Sequence, residues 1–132
     1  MQKLSADLQA QLNSVTWSPP LPGPREGQRL TISNLTGSAD AAVIAQQALQ
    51  HRKEFSVMVI ICANTLDASR LQEEIPVFAP NLAVRLLPDW EILPYDAFSP
   101  HQDLVSERLA TLHELLTGAC DIVLIPVTTA LQ

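Results

Sequence analysis

Apolar positions along the chain switch between helical and strand-like spacing in a regular order. Leu4, Leu8 and Leu12 recur every four residues and predict a short amphipathic helix over residues 5–13. The run Ser18-Pro19-Pro20-Leu21-Pro22-Gly23-Pro24 then reads as an extended linker, since proline forbids helix and sheet ladder alike. Past Gly27 the pattern becomes strand and helix in alternation. Strand one is expected at 29–33, a helix at 39–52, and strand two at 56–63, an unbroken apolar run around Val57-Met58-Val59-Ile60-Ile61-Cys62. Such a run suits a strand covered on both faces. A helix at 66–74 ending near Pro76, strand three at 83–87, a loop at 89–99, a helix at 100–117 and strand four at 121–125 complete the series.

The helix at 100–117 carries the clearest boundary signals. Ser99 reads as N-cap, Pro100 as the first helical residue and Gln102 as the third, a capping box. Val105, Leu109, Leu112 and Leu116 form a stripe of 4-3-4 spacing expected to face the core, and Gly118 is the stop. Thr128 or Thr129 is expected to cap a further helix, within whose first turn the sequence stops, as in an N-terminal piece of a longer protein. Alternating strands and helices with short connections predict right-handed crossovers and a parallel α/β sheet. Residues 1–28 are set apart as helix and linker, and residues 29–132 as the α/β domain, incomplete at its C-terminus.

The turn before the first long helix, Asn34-Leu35-Thr36-Gly37-Ser38-Ala39-Asp40-Ala41, has the frame of a phosphate-binding loop. A working loop reads G-x-x-x-x-G-K-[ST]. Here the glycines fall on Asn34 and Ala39, the lysine on Asp40 and the hydroxyl residue on Ala41. Ala39 adds a Cβ where backbone N–H groups would curl around phosphate, and Ala41 has no Mg²⁺-ligand atom. Asp40 reverses the charge, and two unit charges ~4 Å apart interact by roughly 4 kcal/mol at an effective dielectric of about 20. Asp40 does suit a helix N-terminus, which favours a carboxylate. An ordinary strand–turn–helix connection accounts for these residues equally well.

Net charge and composition narrow the choices. Hydrophobic residues make up 47% of the chain, enough for a core, and the net charge is −6. The basic residues are scattered, with no stripe to track a nucleic-acid backbone. Cys62 and Cys120 lack metal-site spacing and are expected to be buried thiols in a reducing cytoplasm. No apolar run approaches the 18 residues of a membrane span, and the polar N-terminus does not resemble a signal peptide.

Other polar groupings read as structural. His101 and Asp103 lie two apart in a helical first turn, so they do not share a face, even with Tyr95 and Asp96 nearby. His51 and His113 read as surface or core details of their helices. The fourth strand ends Leu124-Ile125-Pro126-Val127, with no carboxylate pair to hold Mg²⁺. Trp90, Tyr95 and Phe98 form a spaced aromatic set among Asp89, Glu91, Asp96 and Asp103. Packing on the sheet edge is one reading, contact with a protein another, and base stacking on single-stranded DNA a third, which the acidic neighbours oppose. No catalytic residue, cofactor or metal is expected.

The segment Leu87-Pro88-Asp89-Trp90-Glu91-Ile92-Leu93-Pro94-Tyr95-Asp96-Ala97-Phe98-Ser99-Pro100-His101-Gln102-Asp103 closely resembles the bacterial transcription-repair coupling factor family (Mfd). Residues 106–112, Ser-Glu-Arg-Leu-Ala-Thr-Leu, and 125–132, Ile-Pro-Val-Thr-Thr-Ala-Leu-Gln, extend the likeness, which runs from about Arg29 to Gln132. The resemblance implies the first domain, 1a, of a module similar to the excision-repair helicase UvrB. That means a RecA-like, P-loop-NTPase-like parallel sheet flanked by helices, with a degenerate phosphate loop. Only about a dozen residues, 88–99, follow strand three, too few for the DNA-clamping hairpin of that helicase. It further implies that the parent is an ATP-dependent DNA translocase that displaces stalled RNA polymerase and recruits UvrA in nucleotide excision repair. ATP, Mg²⁺ and DNA would then belong to motor domains beyond Gln132, leaving this lobe a non-catalytic scaffold.

Overall fold

The computed structural model describes residues 26–89 and 102–132. The expected helix at 5–13, the proline-rich linker, and Ser99, Pro100 and His101 lie outside them. Within them the order is α1 (Ala39–His51), β1 (Met58–Cys62), α2 (Thr65–Phe78), β2 (Val84–Leu86), α3 (Gln102–Thr117), β3 (Ile122–Pro126) and α4 (Val127–Ala130). The three strands form one parallel sheet in the order β1-β3-β2. Val59 aligns with Val123, Ile61 with Ile125, and Leu86 with Leu124.

This order dictates where the helices go. The chain passes from β1 over β3 to β2, then steps back to β3. Crossovers of one hand can do this only if the two connecting helices use opposite faces. On one face, Ile122, Leu124 and Val84 meet Leu71 and Ile75 of α2 and the alanines Ala41, Ala45 and Ala48 of α1. Those alanines recur at helical spacing, and their small side chains let α1 pack closely on α2. On the other face, Leu115 of α3 packs with Val123, Ile125, Leu87 and Cys120.

β3 is therefore covered on both sides, as its continuous apolar run demands. β1 is not. Met58, Ile60 and Cys62 face the larger core, whereas Val59 and Ile61 remain exposed. The expectation that strand two is covered on both faces is corrected: β1 is an edge strand, and α3 lies over the β2–β3 side only.

Other expectations also change. Residues 29–33 form no strand, and Leu30 and Ile32 are exposed. Helix α2 runs past Glu74 and through Pro76 to Phe78. Burial of Ile75, with Phe78 packed beside it, offsets the N–H lost at Pro76. Neither Thr128 nor Thr129 caps α4; Pro126 occupies that place, without a side-chain cap. Gly118 ends α3 as expected, with φ +71°, and Ala119 N–H bonds back to Glu114.

The stripe of α3 is the largest correction. Leu109, Leu112 and Leu116 are exposed, and Thr111 is the buried residue of the helix. The inward row is Leu104, Arg108, Thr111 and Leu115, which has the same 4-3-4 spacing shifted by one residue. Polar anchors decide between the two rows. Arg85 Nε donates to Glu114 at 2.6 Å, Arg108 to the Pro88 carbonyl at 2.5 Å, and Thr111 Oγ1 points at the Leu86 carbonyl 3.4 Å away.

Candidate functional site

The loop before α1 sits where its charge can meet α2. Asn34 has φ +62° and Gly37 φ +59°, so two residues of the 34–41 stretch adopt the left-handed conformation. Asparagine and glycine tolerate it best. Ser38 occupies the N-cap of α1 but makes no side-chain cap. Asp40 instead accepts from the Ala41 N–H at 2.7 Å, in the first turn as expected.

The partner that sequence reading missed is Arg70. Its Nη1 and Nη2 donate to the two Asp40 oxygens at 3.1 and 2.6 Å, a two-pronged pair. The same guanidinium holds Asp67 at 2.7 Å and Glu74 at 2.7 Å. Asp67 and Glu74 lie three and four residues from Arg70 on α2, a legible local pattern. The tie to Asp40 spans 30 residues and has no such signal. Asn64 caps α2 by accepting from the Asp67 N–H at 2.8 Å, which fixes the start of that helix and so the place of Arg70.

These contacts set the ionisation. The hydrogen bond from Arg70 outweighs partial burial and holds the Asp40 carboxyl below the usual carboxylate range. The three carboxylates in turn raise Arg70 further above its ordinary value. Asp40 and Arg70 are each about one-third exposed, at 33% and 35%, so water screens part of the attraction.

A second convergence lies past the ends of β2 and β3. Asp89 accepts from Thr128 Oγ1 at 2.7 Å and from Gln132 Nε2 at 3.1 Å. With Arg108 on the Pro88 carbonyl, the structure joins the segments 87–89, 106–112 and 125–132. These segments carry the family resemblance. Trp90, Tyr95, Phe98 and His101 lie outside the described residues, and Asp103 stands in the first turn of α3.

The remaining candidates take structural places. Cys62 and Cys120 are buried free thiols, as expected. His113 is exposed. His51 is buried, 3.3 Å from a Glu54 oxygen but out of line for a hydrogen bond. Among the described residues no helix is long and apolar enough to cross a membrane.

The described residues thus define a small parallel α/β unit whose loop–helix turn is held by an aspartate–arginine pair. The chain is 39% identical over 108 residues to the transcription-repair-coupling factor of Escherichia coli strain K12, a match covering 82% of this chain. It is 36% identical over 101 residues to that of Haemophilus influenzae, covering 76%. The matched stretches span 9% and 8% of those two proteins. No family model matches the chain. The chain belongs to the transcription-repair-coupling factor family.

Proposed function

We propose that this chain is a non-catalytic scaffold lobe, the RecA-like domain 1a of the UvrB-like module in a transcription-repair coupling factor. The observation that carries the reading is the pairing of Asp40 with Arg70. A nucleotide phosphate at the N-terminus of α1 needs a lysine at position 40, and there a carboxylate is bound by arginine from the next helix. Ala39 and Ala41 supply neither the bare backbone nor the hydroxyl that a nucleotide and its Mg²⁺ require. The residues present do not fit ATP.

In this reading the lobe positions neighbouring parts of a longer protein. That parent displaces stalled RNA polymerase with an ATP-driven DNA motor and recruits UvrA. Calorimetric titration of this chain with Mg-ATP should give no binding heat. Binding in the micromolar range would overturn the reading.

A second reading has its own support. Asp89 is clamped between Thr128 and Gln132, so the chain is fixed to the sheet end just before Trp90. That anchoring suits a loop presented to a partner protein more than one that stacks bases among acidic residues. Trp90→Ala in the full-length protein should then weaken partner capture without lowering the melting temperature. A large loss of thermal stability assigns the aromatics to packing instead.

A further inference from the structure

We draw no further inference here: the strongest candidate, the small cavity between the end of α1 and the start of β1 that buried His51 lines with Arg52, Ser56 and Asp121, has room for about one water molecule, and nothing in the structure shows what ligand it would select.

Discussion

The Asp40 carboxylate meets the Arg70 guanidinium through two hydrogen bonds of 3.1 and 2.6 Å, joining the first turn of α1 to the middle of α2. Such a fork is directional as well as charged. Arg70 also neutralises Asp67 and Glu74, so its removal leaves three carboxylates facing one another. Arg70→Met is therefore expected to cost more than Asp40→Asn. With one-third exposure, about 1–2 kcal/mol for the arginine and less than about 1 kcal/mol for the aspartate are reasonable. Urea unfolding of the two variants and their double mutant measures both, and the cycle should show coupling. Arg70→Lys should recover only part of the loss, since an ammonium cannot grip two oxygens in one plane.

The same pair makes stability depend on acid. The folded Asp40 carboxyl lies below its ordinary value of 3.8, so its contribution is complete above that value. It fades as pH falls through the lower folded value, where the folded carboxylate takes up its proton. Unfolding curves between neutral pH and pH 3 should show a stability loss on the acid side that Asp40→Asn reduces. An identical acid limb in the variant would show that other carboxylates carry it.

Much of the α/β alternation was legible in the sequence. Strands β1 and β3 are continuous apolar runs, α1 is an alanine-rich helical stretch, and Gly118 marks the end of α3. What escaped was set by contacts distant in sequence. The two leucine-bearing rows of α3 share one spacing, and only Arg85, Leu86 and Pro88 decide which faces inward. Residues 29–33 have strand-like composition, yet Leu30 and Ile32 find no core to cover them and the segment stays outside the sheet. At the candidate site, the loop frame and the place of Asp40 could be read directly. Arg70 could not, because the register of α2 against α1 depends on alanine packing and the Asn64 cap.

Gly118 offers a test free of packing effects. Its φ is +71°, and a Cβ built on it would touch nothing within 4 Å. Gly118→Ala should then lose about 1 kcal/mol through backbone strain alone. Gly118→Asn should lose less, since asparagine tolerates the left-handed region. Chemical denaturation of the two variants compares them. Equal losses would mean that the residue type at this helix end is read by something other than φ.

Clamping of Asp89 predicts a local effect. Thr128 and Gln132 both donate to its carboxylate, and α4 has only four residues and no side-chain cap. Asp89→Ala should release this turn while the sheet stays intact. Amide exchange should quicken across residues 127–132, with the melting temperature falling by no more than a few degrees. A global loss of stability would instead make Asp89 part of the main folding unit.

The two thiols report on the sheet from both of its faces. Cys62 belongs to the core beneath α1 and α2, and Cys120 to the cluster beneath α3. Burial pushes both thiols above their ordinary value, aided at Cys62 by the Asp67 charge and offset in part at Cys120 by Arg85. Cys120 Sγ also lies 3.0 Å from the Ile122 carbonyl, a contact that a neutral thiol can make as donor. Thiolate is the reactive form, so both residues should react slowly with a disulfide reagent at pH 8 in the folded chain. Denaturant should raise the two rates together if the faces open as one unit. If Cys120 reacts first, the α3 face opens ahead of the α1–α2 core. That order is expected, because α3 buries only Thr111 fully and leaves most of its leucines outside. Equal rates in mild denaturant would show that polar anchors at Arg85 and Arg108 hold α3 as firmly as apolar burial holds α2.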